Sequence, residues 1–210
     1  MKNFFVRYSY DSMRMLLDQV VISIFGFSLA LAASKTENDT FLMGVSIGAI
    51  IFYLALLYGA AVKVGSRDKT SVDLGRQPFR PFTGTLVSLL ANSLNLILAV
   101  IITVFAFTSE EITAGGVPRA IALLLQGMYQ GLLAVIQVGG TAEAPMYLND
   151  CWWVYFLITI PALLISTVGY IAGVKGWRLT GFSPADLPAS DRPTRKEYRE
   201  QKKERQKKDK

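Results

Sequence analysis

Histidine is absent from the 210 residues, and Cys151 is the only cysteine. A lone thiol forms no internal disulfide, and the usual zinc, haem and iron–sulfur sites take their ligands from histidine or from grouped cysteines. Serine, aspartate and glutamate are present, but no histidine accompanies them as a general base. The sequence therefore predicts no metal site and no cofactor, offers no catalytic residue, and gives no positive sign of an enzyme.

Charged residues are missing from three long apolar runs, which cover residues 41–62, 83–109 and 151–174. A helix needs roughly 20 residues to cross a hydrocarbon core of about 30 Å, so each run is long enough to span a bilayer. Spanning backbone must satisfy its own hydrogen bonds, which makes these runs helices. With 51% apolar residues, the chain is predicted to be a membrane protein.

A further uncharged run covers residues 19–34 and becomes long enough for a span when Leu16 and Leu17 are included. The alternative is a secretory signal peptide, because Ala30 and Ala32 form a small-x-small pattern of the kind that signal peptidase cleaves. The preceding region is long for a signal and contains two acids, so we prefer a first transmembrane helix.

These runs predict an all-α integral membrane protein with four transmembrane helices arranged as two antiparallel hairpins. The spans are expected at about residues 16–33, 41–62, 84–108 and 152–174. The predicted flanking parts are a cytoplasmic or interfacial segment 1–15, a cytoplasmic connector 63–83, an outer loop 109–151 and a basic cytoplasmic tail 175–210.

The distribution of Lys and Arg supports this topology, because loops on the cytoplasmic side of membrane proteins are enriched in these residues. With four spans and both termini in the cytoplasm, 20 of the 22 basic residues lie inside, and only Lys35 and Arg119 lie outside. A fifth crossing through residues 120–142 gives a much weaker bias. The sequence therefore predicts a plasma-membrane protein with both ends cytoplasmic, and residues 120–142 become an extracytoplasmic helix, either amphipathic on the surface or re-entrant.

Four polar residues are candidates for the interior of the bundle: Asp18, Gln19, Asn92 and Asn95. Polar side chains inside a bilayer are costly unless they find partners, so they generally face the bundle. Asn92 and Asn95 are three residues apart and share one face of the third span. The four residues suggest either an ion or solute pathway or ordinary contacts between helices and headgroups.

Four basic residues of the connector are candidates for contact with lipid headgroups or a partner: Arg67, Lys69, Arg76 and Arg80. Pro78 and Pro81 prevent a continuous helix through the connector. Three glycines are predicted to supply turns there: Gly65, Gly75 and Gly84. The connector contains no phosphate-binding loop motif, and an ordinary positive-inside loop is the alternative interpretation.

Glycines four residues apart recur in three of the apolar segments, at Gly44 and Gly48, at Gly127 and Gly131, and at Gly169 and Gly173. In lipid, such small residues let two helices approach closely. For the pattern in the second span, the alternatives are packing within the bundle and a seam between two copies of the chain.

The tail carries twelve basic residues and cannot build a hydrophobic core. It is predicted to attract anionic lipid headgroups, or to serve topology alone. Contact with RNA is the competing idea, but Tyr198 is its only aromatic residue beyond Trp177 and Phe182, so base stacking and nucleic-acid binding are not indicated.

The connector also carries a resemblance. The run GSRDKTSVDLGR, followed by Pro81 and SLLANSLN, is similar to a group of small, uncharacterised multi-pass membrane proteins of Gram-positive bacteria. The resemblance covers about the first half of the chain. It implies a bacterial membrane protein and implies no activity.

Two functions are expected from these patterns. The first is a non-enzymatic accessory or scaffold subunit whose partners are lipid headgroups or a protein at the cytoplasmic face. The alternative is a small-solute or ion transporter or channel that uses the polar face of the third span, with a second copy of the chain as a partner.

Overall fold

A computed structural model describes residues 2–108, 116–141 and 143–177. Its fold is all-α apart from a short β-hairpin. The helices are α1 Lys2–Ser34, α2 Asp39–Asp73, α3 Thr83–Ala91, α4 Ser93–Thr108, α5 Gly116–Leu125, α6 Gln130–Val135, α7 Val154–Leu157 and α8 Ile160–Lys175. Strands β1 Gln137–Gly140 and β2 Pro145–Tyr147 pair antiparallel. Residues 178–210, which hold nearly all of the predicted tail, lie outside the described residues, as do residues 109–115.

Three helices are long and apolar enough to cross a membrane: Phe4–Ser34, Asp39–Asp73 and the nearly continuous Val154–Lys175. The helices α3 and α4 pass the same test only as a pair, and they meet at a bend of 62°. The chain therefore has three such helices, or four if the bent pair counts as one span.

The bend lies at Asn92, inside the segment predicted as one span at residues 84–108. The backbone of Asn92 leaves the helical region with ψ near 7°, and its side-chain amide donates to the carbonyl of Ser88 at 3.0 Å. Asparagine side chains compete with the backbone for such bonds, which favours a helix end over a helix interior.

Helix α2 continues well past the apolar run, so the first half of the predicted connector is helical. Gly65 lies inside α2 and Gly84 inside α3, so the prediction that these glycines make turns is wrong. Gly75, with φ of +68°, does lie in the turn between the two helices. The remaining connection, residues 74–82, is called the connecting turn below.

Gly65 and Gly84 serve close packing instead. A Cβ on Gly65 would meet the carbonyl oxygen of Tyr170 and the backbone of Gly173, and one on Gly84 would meet the carbonyl of Ser166. Helices α2 and α3 therefore lie backbone-to-backbone against α8. The predicted packing face at Gly169 and Gly173 lies at this contact, since a Cβ on Gly173 would meet the carbonyl of Val62.

The segment predicted as one outer helix is broken into α5, a 3-10 turn at Gly127–Tyr129, and α6. It packs against the first two helices: the Ser23 hydroxyl donates to the carbonyl of Leu125, a Cβ on Gly127 would meet the carbonyl of Ser23, and one on Gly131 would meet Ser46. Ser23 lies in the middle of the first apolar run. The segment is therefore part of the packed bundle.

The paired glycines of α2, Gly44 and Gly48, differ from these packing glycines. A Cβ on Gly44 or Gly48 would have nothing within 4 Å among the described residues, and both glycines are exposed. Packing within the described bundle, the first alternative for this pattern, is therefore not what these two glycines do.

Candidate functional site

A buried carboxylate ties together the end of the bundle where α1 begins and where α2 and α8 end. Asp68 of α2 is fully buried. Its carboxylate accepts hydrogen bonds from the guanidinium of Arg7 at 2.6 Å, from the hydroxyl of Tyr8 at 2.6 Å, and from the hydroxyl of Tyr170 at 3.1 Å. We call these four residues the Asp68 cluster. Because a buried carboxylate is tolerated only with such donors, the cluster fixes three helices relative to one another.

Arg67 is one of the four basic connector candidates, and it is already engaged. Its guanidinium donates to Asp11 of α1 at 2.8 Å and lies 4.0 Å from Asp68. The same group lies over the ring of Tyr8, 5.8 Å from its centroid. Arg67 thus stabilises the contact between α1 and α2, and it is a weaker candidate for an external ligand than the sequence indicates.

Lys69, the second candidate, lies beside Gly176 at the C-terminal end of α8. A cation at that position is favoured because the last carbonyls of a helix carry partial negative charge. Arg76 and Arg80 differ from these two residues, because they lie exposed in the connecting turn and form no ion pair among the described residues.

A groove of about 260 Å³ runs between α1 and α2 close to the Asp68 cluster. Its polar wall consists of Asp11, Arg14 and Asp18 from α1 and Lys63 from α2, and its apolar wall includes Ala55, Leu56 and Gly59. We call it the charged groove. It combines side chains of both charge signs with an apolar surface, as a site for an amphiphile requires.

Three charges of the groove lack a partner within the part of the chain that the structure describes. Asp11 is paired with Arg67, but among the described residues Arg14, Asp18 and Lys63 form no ion pair or hydrogen bond. Arg14 and Asp18 are one helical turn apart, a spacing that often gives an ion pair. The unpaired charges therefore remain available to a ligand.

The connecting turn presents apolar and basic side chains together. Leu74 is 59% exposed, Phe79 40% and Phe82 70%, and Arg76 and Arg80 lie between them in sequence. Exposed aromatic rings next to basic groups are typical of segments at a membrane–water interface.

The asparagines of the third apolar run are buried in the bundle, each less than 5% exposed. The amide of Asn95 donates to the side-chain oxygen of Asn92 at 3.1 Å, and Asn92 donates to Ser88. Gln19 is also buried. Asp18 is not part of this hydrogen-bonded set, because it lines the charged groove.

Gln126 forms a second interior polar position, at the break after α5. It is 2% exposed, and both polar atoms of its side chain lack a hydrogen-bond partner among the described residues. The hydroxyl of Tyr129, on the adjoining 3-10 turn, is buried and unpartnered as well. Two helix breaks, at Asn92 and at Gln126, thus carry buried polar side chains.

Cys151 is buried, and its thiol lies 3.8 Å from the carbonyl oxygen of Tyr147. Burial, with a smaller contribution from the charge of Asp150, raises the pKa of this thiol, whereas Arg119 lowers it. The thiol is therefore neutral and poorly reactive. Within the described residues, no three His, Cys, Asp or Glu side chains are grouped to hold a metal ion.

The central role of Asp68 and the contributions of Arg14 and Lys63 to a groove are not predicted from the sequence. Asp68 carries a signal in hindsight, since it stands among basic residues just beyond an apolar run. The groove has no such signal, because it depends on which faces of α1 and α2 point outward.

Comparisons with protein-family models, with curated proteins and with solved structures found nothing that matches this chain.

Proposed function

We propose that this chain is a non-enzymatic accessory or scaffold protein of the plasma membrane that binds phospholipid headgroups in the charged groove. The observation that carries the proposal is that Arg14 and Lys63, which line that groove, form no ion pair with any described residue. Guanidinium and ammonium groups without protein partners are the natural ligands of phosphate oxygens.

The depth of the groove agrees with this proposal. Lys63 is the first charge after the apolar run 41–62, and Asp18 is the last charge before the apolar run 19–34. Both residues therefore belong at a boundary between hydrocarbon and headgroups. A basic residue near an anionic surface gains about 1 kcal/mol.

The proposed arrangement has four spans, with α3 and α4 as one bent span, and both chain ends in the cytoplasm. The uneven distribution of basic residues supports this orientation. Protease added to sealed right-side-out cells is expected to leave the tail intact. Digestion of the tail in sealed cells would contradict the orientation.

The connecting turn adds a second contact with the same leaflet. We infer that Phe79 and Phe82 lie at headgroup level and that Arg76 and Arg80 meet phosphates beside them. A protein partner at the cytoplasmic face is the other occupant that this surface suits. Removal of the turn's arginines would then change the proteins recovered with the chain rather than its lipids.

The proposal is tested by native mass spectrometry of the protein released from membranes under mild conditions. The wild-type chain is expected to retain phospholipid, and the double variant Arg14→Gln, Lys63→Gln is expected to lose it. Lys35→Gln, at the opposite end of the bundle, is the matched control. Equal lipid retention in all three proteins would contradict headgroup binding in the groove.

A second candidate function, transport of a small solute or ion, is favoured by the two helix breaks. Interrupted helices with buried polar groups mark the binding sites of many transporters, and Asn92 and Gln126 lie at such breaks. Flux into proteoliposomes is expected to fall in a folded Asn92→Leu, Asn95→Leu variant. Absence of flux with the wild-type protein, across a panel of ions and small solutes, would contradict transport.

A further inference from the structure

We propose that the charged groove selects a phospholipid whose headgroup carries a primary amine, with its phosphate on Arg14 and Lys63 and its ammonium on Asp18. This inference rests on the proposed headgroup binding and specifies its ligand. It follows from the groove charges that form no ion pair within the described part of the protein.

Those charges are two cations and one acid. Arg67 donates to Asp11 at 2.8 Å, which removes Asp11 from the set available to a ligand. Arg14, Lys63 and Asp18 form no ion pair among the described residues, although they line one groove. A ligand with one phosphate and one ammonium complements this set, whereas a purely anionic headgroup leaves Asp18 facing negative charge.

Asp18 is the residue that distinguishes between headgroups. It is partly buried and lies where α1 enters its apolar stretch, so an unpaired carboxylate there is costly. A primary ammonium donates three hydrogen bonds and satisfies such a carboxylate. A trimethylated ammonium donates none, and a glycerol headgroup brings no positive charge. The carboxylate therefore favours phosphatidylethanolamine over phosphatidylcholine and phosphatidylglycerol.

The apolar wall of the groove provides a surface for the acyl chains of a lipid. Ala55 lies two turns deeper than Lys63, about 12 Å along the helix at 1.5 Å per residue. Between them, a Cβ on Gly59 would meet no atom of the described residues within 4 Å, so the surface is open to an acyl chain. A volume of about 260 Å³ suits a headgroup and the start of its chains rather than a whole lipid.

The test uses the full chain in nanodiscs of defined composition, with bound lipid counted by native mass spectrometry. The wild-type protein is expected to retain phosphatidylethanolamine about tenfold better than phosphatidylcholine, the size of effect that a charge-assisted hydrogen bond gives. Asp18→Asn is expected to abolish this preference without reducing phosphatidylglycerol binding. Asp18→Glu should restore most of the preference. Asp73→Asn, an exposed acid at the same end of the bundle, is the matched control.

The outcomes separate this inference from the proposed function. One outcome is that the double variant Arg14→Gln, Lys63→Gln loses all lipid, while the wild-type protein shows no preference among headgroups and Asp18→Asn has no effect. This outcome would overturn the amine selectivity and leave headgroup binding intact. Retention of lipid in that double variant would overturn both. A soluble competitor, glycerophosphoethanolamine, is expected to displace the lipid only at far higher concentration. Displacement by the competitor at a concentration equal to that of the lipid would overturn the contribution of the acyl chain.

Discussion

The two faces of α2 contain the same kinds of residue, glycines and charged side chains, in opposite surroundings. Toward α8, Gly65 lies so close to Gly173 that neither accepts a Cβ, and Asp68 is enclosed by donors. Away from α8, a Cβ on Gly48 would meet no described atom within 4 Å, and Lys63 has no partner among the described residues. On a long apolar helix, the role of a glycine or a charged residue thus depends on its angle around the helix axis, because that angle decides what the residue faces.

The strongest test of this contrast is Asp68→Ala on the packed face. The change leaves the hydroxyls of Tyr8 and Tyr170 without their acceptor and Arg7 without its counter-charge. Removing one partner from a buried ion pair costs about 3–5 kcal/mol, and the exposure of Arg7 to solvent places the expected loss near the lower value. The free energy of unfolding from a denaturant titration in detergent measures it.

Asp73→Ala is the control for that measurement, since Asp73 lies on the same helix and is exposed. We expect this variant to stay within about 0.5 kcal/mol of the wild type, as surface changes usually do. Equal losses in both variants would show that the Asp68 cluster does not hold the helices together.

The glycines provide the next test. Gly65→Ala pushes a Cβ into the carbonyl of Tyr170, and overpacking of this kind costs about 1–3 kcal/mol. Gly48→Ala meets no atom within 4 Å among the described residues and should be neutral or stabilising, because alanine favours the helix. A concentration-dependent loss of stability in Gly48→Ala would reveal that a second copy of the chain covers this face.

A smaller effect is expected at the contact between α1 and α2. Arg67→Gln removes the ion pair with Asp11, in which the arginine side chain is 48% exposed and the acid 16%. Exposed pairs contribute about 0–1 kcal/mol, and salt screens them. The loss of unfolding free energy should therefore shrink when the titration is repeated at high ionic strength. A loss that is independent of salt would point to packing against Tyr8 as the cause.

The smallest effect is expected for Lys63→Gln on the open face. Because Lys63 has no protein partner in the described chain, its removal should change the free energy of unfolding by less than about 0.5 kcal/mol. The measurement is made in lipid-free detergent. A loss of unfolding free energy well above 1 kcal/mol would show that Lys63 supports the fold and would contradict the contrast between the two faces.

Apolar runs without charge were enough to predict an all-α chain with long helices of membrane-spanning length. Hydropathy reports which segments avoid water, and that property depends on local composition alone. The bend at Asn92 was missed because one asparagine within a long apolar run alters the average little. Its effect comes from a side-chain hydrogen bond to Ser88, which hydropathy does not register.

The candidate site is predicted least well where the role of a residue depends on the direction in which it points from its helix. The polar residues around Gly65 predict a turn, yet contact with Gly173 makes Gly65 a packing residue. The sequence makes Asp18 a candidate for the bundle interior together with Asn92, yet Asp18 lines a groove with Arg14 and Lys63. Such neighbours come from distant parts of the chain, and no local pattern identifies them.

The Asp68 cluster also bears on how the chain matures during synthesis. Arg7 and Tyr8 are made some 60 residues before Asp68, but Tyr170 emerges from the ribosome 102 residues after it. Until α8 has been made, the carboxylate of Asp68 therefore lacks one of the three hydrogen-bond donors that surround it. A chain that ends before α8 lacks both the hydroxyl of Tyr170 and the backbone that packs against Gly65, so the last of these three helices to be made completes the surroundings of the acid.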